Sequence, residues 1–324
     1  MLITRAPFRI SFFGGGTDYY DYFSEYGGCV LSTTIDKYCY VSMRHLPSFF
    51  EYKNQFTYSK IERFNSVEDI EHPLVRAALN YIPVEKIQIA YDADLPACSG
   101  IGSSSAFAVA LLQGLYALKG EYPDKMTLAK EAIYLERDYL KEAGGVQDQL
   151  ASAFGGFNII HFDKNGYRIE PLEISEETKK KLNENLLLAF TGFTHFSGEI
   201  ATKQQKNIPA SIGQLDEMKN IVYEGAELLK KGELDDFGRL LDRTWQLKRS
   251  LSESITNDTI DAFYEQAKQY GALGGKLIGA GGGGFMLLYV PKEKQDYLKE
   301  KLPELKYAPF NFENGGTTIM YSEN

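Results

Sequence analysis

Residues 95–112, LPACSGIGSSSAFAVALL, place a run of small polar residues directly before an almost unbroken apolar segment. Small residues let a backbone approach a ligand closely, and the free N–H groups at the start of a helix attract phosphate. Ser103–Leu118 is apolar on every side, which predicts a helix that is buried all round. The stretch therefore favours a phosphate-binding loop, although a plain glycine turn followed by a serine N-cap would produce a similar pattern.

The composition limits the class of protein. A chain of 324 residues that is 44% hydrophobic can bury a substantial core and is long enough for two domains. The spacing of Cys29, Cys39 and Cys98 suggests neither a disulfide framework nor a zinc site. A net charge of −9 with thinly spread basic residues argues against a nucleic-acid partner. The apolar runs are too short for a membrane span and no signal segment is evident, so we expect a cytoplasmic protein without a membrane partner.

Hydrophobic periodicity predicts a mixed α+β chain. Between the first two predicted strands lies FFGGGTDYYDYFSEYGG, which is interpreted as a turn-rich insertion. The predicted strands are Leu2–Phe13, Cys29–Arg44, Lys86–Ala90, Phe157–His161, Leu186–Thr191, FMLLYV at 285–290 and a final edge, TTIMYS. Besides Ser103–Leu118, the predicted helices are Thr127–Glu142, Ser211–Lys230, Leu234–Leu251 and Thr256–Tyr270. The change from a strand-rich to a helix-rich half predicts two domains, 1–175 and 176–324.

Three better-known motifs do not fit. The Gly275-Lys276 pair lacks the residues that a Walker loop requires around it. The G-x-G-x-x-G spacing of Gly279, Gly281 and Gly284 is followed by a predicted strand, whereas a dinucleotide site needs a helix there. Asp236-Phe237-Gly238 lies within an amphipathic helix pattern and has no H-R-D loop as a companion. A P-loop, a Rossmann site and a protein-kinase site are therefore excluded.

Three motifs follow one another along the chain: Ala6-Pro7-Phe8-Arg9 with Gly16-Thr17-Asp18-Tyr19, the run Pro96–Ala106, and the glycine-rich run Lys276–Gly284. In sequence and in order they resemble the motifs of the GHMP kinase superfamily. The resemblance implies an N-terminal domain of the ribosomal S5-like α+β type and a C-terminal ferredoxin-like α+β domain, with ATP and substrate between them. It also implies that ATP contacts Pro96, Ser99, Gly100, Ile101, Gly102, Ser103, Ser104 and Ser105.

The same resemblance implies roles for the polar residues around this loop. Phosphoryl transfer needs a metal ion on the phosphates and a group that orients or deprotonates the acceptor hydroxyl. In the sugar-kinase members a glutamate and an aspartate occupy places that correspond to Glu136 and Asp148, so we expect Glu136 and Ser104 to bind Mg²⁺ and Asp148 to act on the acceptor. Arg9 would stabilise developing charge beside Asp148. The predicted sugar contacts are Thr17, Asp18, Gly145, Asp148, Gly281 and Gly282.

The form of the first motif indicates which sugars to consider. Phe13-Gly14-Gly15-Gly16-Thr17-Asp18 resembles the branch that contains D-glycero-D-manno-heptose 7-phosphate kinases and the kinase portion of fucokinases, which act on the anomeric hydroxyl. The run Thr191–Ser197, with Glu199 and Lys203, is similar to the heptose-kinase branch except at His195, where an arginine is expected. Lys203 and Lys206, with His195 as a third donor, are the candidates for binding a substrate phosphate.

Several alternatives stay open at the level of sequence. Glu136 could be a solvated surface charge, Asp148 a helix cap and Arg9 an edge charge on a strand. Lys203 and Lys206 could be a solvated helix face. A fucokinase-like or galactokinase-like kinase of an unphosphorylated sugar is the alternative enzyme, and a non-catalytic regulator that binds sugar and ATP is the alternative of another class.

Overall fold

A computed structural model describes residues 1–192 and 197–323. Its strands, in chain order, are β1 Leu2–Phe13, β2 Gly28–His45, β3 Asn54–Thr57, β4 Ile61–Phe64, β5 Ile87–Ala93, β6 Asn158–Asp163, β7 Gly166–Pro171, β8 Leu186–Phe190, β9 Gly274–Leu277, β10 Phe285–Tyr289, β11 Lys306–Ala308, β12 Phe312–Glu313 and β13 Thr318–Ser322. Its α-helices are α1 Tyr20–Tyr26, α2 Pro73–Tyr81, α3 Ser103–Leu118, α4 Lys125–Ile133, α5 Gln147–Phe154, α6 Glu176–Asn185, α7 Ser197–Asn207, α8 Ile212–Lys231, α9 Leu234–Ser250, α10 Asp258–Gln269 and α11 Gln295–Lys301. In these described ranges, no helix is long and apolar enough to cross a membrane.

Two sheets organise the chain. The larger sheet has the order β13-β1-β2-β5-β3-β4; β6 and β12 also pair with β2, and β7 pairs with β6. The smaller sheet has the order β11-β8-β10-β9 and is antiparallel where its strands pair. Helix α3 packs on β1 and β2, and its hydrophobic residues lie in the core as the sequence predicts. The two-sheet α+β architecture agrees with the expected fold class.

The end of the described chain returns to the first sheet. β13 pairs antiparallel with β1, where Leu2 lies opposite Ser322, and β12 pairs with β2. The TTIMYS strand therefore belongs to the larger sheet, although the predicted division at residue 175 would assign it to the second domain. The division itself stays a prediction. Arg9 is not an edge charge, because its side chain is buried and its backbone N–H donates to the Ile101 carbonyl at 3.1 Å.

The prediction of a turn-rich insertion is wrong for the second half of that segment, where Tyr20–Tyr26 form α1. The predicted helix Thr127–Glu142 is also replaced by a shorter one: α4 begins at Lys125, where Asp124 caps it by accepting from the Thr127 N–H at 2.7 Å. After Ile133 the backbone widens into a π-helical turn, Tyr134–Tyr139. Single π turns within helices often occur at functional sites, and this one carries Glu136.

Candidate active site

The phosphate loop ends where α3 begins. Gly102 adopts a left-handed conformation at the N-cap position, with φ of 76°, and Ser103 is the first helical residue. Ser99 is buried and its hydroxyl donates to the Pro96 carbonyl at 2.6 Å, which closes the preceding turn. The N–H groups of the first turn of a helix have no acceptor within that helix, so residues 103–105 present donors and the positive helix end to a phosphate.

The two glycine motifs pack backbone against backbone. A Cβ on Gly100 would lie 2.3 Å from the Ile278 carbonyl oxygen, and one on Gly284 would lie 2.3 Å from the Ser99 carbonyl oxygen. The Phe285 N–H donates to that Ser99 oxygen at 3.0 Å. No residue larger than glycine fits at either position without displacing backbone. The third motif therefore fixes the loop from the side of the second sheet.

Asp148 and Arg9 form a bidentate ion pair beside the phosphate loop. Arg9 Nε donates to Asp148 Oδ1 at 2.7 Å and Nη2 donates to Oδ2 at 2.8 Å, while Nη1 donates to the Gly100 carbonyl at 2.6 Å. Arg9 is 3% exposed, and the Asp148 side chain keeps 22% of its surface. A Cβ on Gly102 would lie 3.3 Å from Asp148 Oδ2, so the carboxylate lies against the start of α3. The pair can present a carboxylate to a hydroxyl next to the phosphate loop.

Glu136 is buried, not solvated. It is 1% exposed and accepts from Ser104 Oγ at 3.0 Å, from Ser105 Oγ at 2.9 Å and from Gln149 Nε2 at 2.6 Å. The π-helical turn brings this carboxylate to the first turn of α3, which excludes the surface-charge alternative. Gln149 is a contact that the sequence reasoning did not anticipate.

The side-chain atoms that Ser104, Ser105 and Glu136 offer to a metal ion are all oxygens, which are the ligand atoms that Mg²⁺ prefers. Within the described ranges, no cluster of three or more His, Cys, Asp or Glu side chains could hold a metal unaided. The residues therefore fit a Mg²⁺ that takes its remaining ligands from nucleotide phosphates and water. Such an ion usually keeps several non-protein ligands in kinases.

Asp18 is enclosed by the chain itself. Its Oδ1 accepts from the Gly16 N–H at 2.9 Å, and its Oδ2 accepts from Gln147 Nε2 at 3.0 Å. A Cβ on Gly145 would lie only 1.8 Å from Oδ2, so only a glycine at 145 leaves room for this carboxylate. Burial raises the pKa of Asp18, and the nearby Asp148 charge raises it further. Asp18 and Asp148 thus lie close enough to influence one another.

Thr17 is fully buried, and its Oγ1 lies 2.8 Å from the Gly14 carbonyl oxygen and 2.9 Å from the Cys29 carbonyl oxygen, so that its single proton can be donated to either. Oγ1 also accepts from the Cys29 N–H at 3.1 Å. This arrangement gives it a role in holding the motif and does not support the predicted contact with a sugar. Gly281 and Gly282 lie against Ile255, whose carbonyl accepts from the Gly282 N–H at 2.8 Å. Their contact with a sugar stays a prediction.

Two buried lysines join the glycine motif to the site, and sequence reasoning missed Lys248. Lys276 Nζ donates to the Ser11 and Phe12 carbonyls at 2.9 and 3.0 Å, which ties β9 to β1. Lys248 Nζ donates to the Leu277 carbonyl at 3.0 Å and to the Gly279 carbonyl. Burial, and then the Arg9 charge, lowers the pKa of Lys248 to about 7, with Asp18 acting in the opposite direction. Burial followed by the Lys248 charge lowers the pKa of Lys276 well below its usual range.

The three residues predicted to bind the phosphate of the acceptor sugar are not seen as a cluster in the part of the chain that the structure describes. His195 lies outside the described ranges. Lys203 and Lys206 are exposed on α7, whereas Gln204 on the inner side donates to the Ala280 carbonyl at 2.9 Å and accepts from the Tyr19 hydroxyl at 3.2 Å. Helix α7 therefore touches the first and third motifs through Gln204, and a role for its lysines stays a prediction.

Family models match both halves of the chain: the GHMP kinases N-terminal domain over residues 70–156 and the GHMP kinases C-terminal domain over residues 226–308. The chain belongs to the GHMP kinase family. Its similarity to the D-glycero-alpha-D-manno-heptose 7-phosphate kinase of Campylobacter jejuni is 29% identity over 97% of each chain. The bifunctional fucokinase/GDP-fucose pyrophosphorylase of Arabidopsis thaliana is 27% identical over 93% of this chain and 31% of its own length.

A solved structure described as a D-glycero-D-manno-heptose 1-phosphate kinase from Bacteroides thetaiotaomicron superimposes with a TM-score of 0.83 over 100% of both chains, at 24% identity. That likeness supports the fold. The family models and the sugar-kinase relatives identify the chain as an ATP-dependent sugar kinase.

Proposed function

We propose that this kinase transfers the γ-phosphoryl group of ATP to the anomeric hydroxyl of D-glycero-D-manno-heptose 7-phosphate and forms the 1,7-bisphosphate. The observation that carries the choice of acceptor is the similarity to the Campylobacter jejuni heptose 7-phosphate kinase, which extends over 97% of both chains. The Arabidopsis relative, whose name includes fucokinase, favours an unphosphorylated sugar as the second candidate. The intact set of Arg9, Glu136 and Asp148 argues against a non-catalytic regulator.

In the proposed reaction, Asp148 accepts the proton of the anomeric hydroxyl. That oxygen forms a bond to the γ-phosphorus as the bond between the γ-phosphorus and its bridging oxygen breaks, and ADP leaves. Arg9 holds the Asp148 carboxylate in one orientation through two parallel hydrogen bonds. Each carboxylate oxygen retains a further lone pair for the acceptor hydroxyl.

The start of α3 binds the phosphate oxygens, and Ser104 with Glu136 would hold Mg²⁺ beside them. When bound, the metal neutralises negative charge on the phosphates. Because Glu136 is already fixed by Ser105 and Gln149, its carboxylate needs little reorganisation to receive the ion.

The acceptor is tested with purified protein, ATP and a panel of heptose 7-phosphate, the same heptose without phosphate, fucose, galactose and mannose. We expect the highest kcat/KM with heptose 7-phosphate and a new anomeric phosphate signal in the ³¹P NMR spectrum of the product. A higher kcat/KM with fucose or galactose would reject the heptose assignment and leave the kinase chemistry intact.

The sequence prediction that Lys203 contacts the 7-phosphate has its own test: if the contact exists, Lys203→Ala raises KM for heptose 7-phosphate much more than it lowers kcat. Such a result would show that ground-state and transition-state binding are lost together. An unchanged KM would return Lys203 to the solvated face of α7, where it is exposed.

A further inference from the structure

Arg137 lies beside residues 144–145, which precede Asp148, and has no role in the proposed chemistry. It follows Glu136 in the π-helical turn, and its side chain is 19% exposed. Its Nε donates to the Gly145 carbonyl at 3.0 Å. The guanidinium lies against Gly144, where an added Cβ would be 3.1 Å from both Cζ and Nη2. An alanine at position 144 would therefore crowd the guanidinium.

The segment that holds Arg137 also encloses Asp18. Gly145 packs on the Asp18 carboxylate, and the Val146 N–H donates to the Asp18 carbonyl at 3.1 Å. The positive charge of Arg137 also reaches the hydroxyl of Tyr19, the neighbour of Asp18 in the first motif, where it opposes the rise in the pKa of Tyr19 that burial causes. Arg137 therefore lies on the side of the site that the first motif forms, where the sugar is expected to bind.

Three other basic side chains at the site are already hydrogen-bonded, whereas Lys203 and Lys206 are exposed on α7. Arg9 bonds to Asp148 and the Gly100 carbonyl, and the ammonium groups of Lys248 and Lys276 donate to backbone carbonyls in the interior. The Nη1 atom of Arg137 lies 3.9 Å from the nearest Glu142 carboxylate oxygen, which is longer than a hydrogen bond. One edge of its guanidinium is anchored by Gly145, and the terminal nitrogens can still donate.

We infer that Arg137 binds the phosphate that the acceptor sugar already carries, and so determines selectivity for a phosphorylated heptose. The inference rests on the proposed function. A planar guanidinium donates two parallel hydrogen bonds to a phosphate, and a fixed one loses less conformational entropy on binding than a flexible exposed lysine does. A dianionic substrate approaching a chain of net charge −9 needs such a local cation.

The test compares heptose 7-phosphate with the same heptose lacking the phosphate, in the wild type, Arg137→Gln and Arg137→Lys. Arg168→Gln is the matched control because Arg168 is an exposed arginine that pairs with Glu170 away from the site. Charge-assisted hydrogen bonds predict that Arg137→Gln lowers kcat/KM about tenfold to a hundredfold for the phosphorylated heptose, mainly through KM. The unphosphorylated sugar should change by less than about threefold, and Arg137→Lys should restore part of the loss. Thermal unfolding of each variant checks that it is folded.

The outcomes separate the inference from the proposed function. If the wild type prefers the phosphorylated heptose but Arg137→Gln lowers kcat/KM equally for both sugars, Arg137 only supports Gly145 and the inference is wrong, while the function stands. If Lys203→Ala removes the preference and Arg137→Gln does not, the phosphate binds at α7 and the inference is again wrong. If the wild type shows no preference for the phosphorylated sugar, both the function and the inference are rejected.

Discussion

Replacing Asp148 with asparagine removes the proposed proton acceptor and keeps the shape of the side chain. Asparagine can accept from Arg9 through one oxygen, but its amide group would face the second guanidinium nitrogen, which now bonds to Oδ2 at 2.8 Å. Loss of one charge-assisted hydrogen bond predicts a fall in the free energy of unfolding of about 1.5–3 kcal/mol. General base catalysis contributes about 10²- to 10⁴-fold to a rate, so kcat should fall by at least about 100-fold.

Steady-state kinetics and urea unfolding measure the two effects separately. KM for ATP should stay near the wild-type value because the phosphate loop, held by the Gly100 and Ser99 contacts, is unchanged. Asp242→Asn is the matched control, since Asp242 also pairs with a cation, Lys268 at 3.3 Å, but lies away from Asp148. It should lose stability without loss of kcat. A kcat for Asp148→Asn within about threefold of the wild type would refute the assigned role.

Three further predictions follow from the geometry of the loop and its supports. Ser104→Ala and Glu136→Gln should each raise the Mg²⁺ concentration that gives half-maximal rate, and unchanged magnesium titrations in both variants would contradict the metal site. Gly100→Ala should raise KM for ATP and lower stability by about 2 kcal/mol more than Gly120→Ala, because both glycines have positive φ but a Cβ at Gly120 meets nothing within 4 Å; equal effects in chemical unfolding and kinetics would show that the close approach is unimportant. The pKa of Lys248 is lowered to about 7 in the native protein, so between pH 7 and the pKa of an unfolded lysine the unfolded chain binds a proton that the native chain does not. The free energy of unfolding of the wild type should therefore rise with pH by up to about 1.4 kcal/mol per pH unit relative to Lys248→Met. Parallel curves of stability against pH for the two proteins would contradict the lowered pKa.

The sequence predicted the elements whose local pattern agrees with their surroundings. β1 and α3 have the predicted bounds, because alternation in β1 and the small-residue start of α3 are local signals. Helix α1 was missed because its aromatic run follows three glycines and its N-cap, Tyr19, makes no side-chain cap hydrogen bond. The π-helical turn was missed because a helical period of 3.6 residues does not reveal where hydrogen bonds shift by one residue.

The residues of the candidate site also differ in whether the sequence predicts them. Arg9, Glu136 and Asp148 were found through motifs, and the structure shows that their side chains contact one another or the first turn of α3. Lys248 could not be found, because a lysine in an amphipathic helix pattern usually faces water, and only the packing of α9 on β9 makes this one buried. Arg137 could have been noticed from its position next to Glu136, but the contact with Gly145 depends on the tertiary fold.

The pairing of β13 with β1 has a consequence for how the protein is made. On a ribosome, β1 leaves the exit tunnel before β13, and β13, which pairs with Leu2–Arg5, emerges only after the second sheet has been synthesised. Until then this part of β1 is an uncovered edge with free backbone donors and acceptors, with which other chains can pair. A fragment that stops at residue 175 would keep that edge permanently, so we expect it to aggregate when expressed alone, and a circularly permuted chain that places 312–323 directly before Leu2 to fold with less need of chaperones.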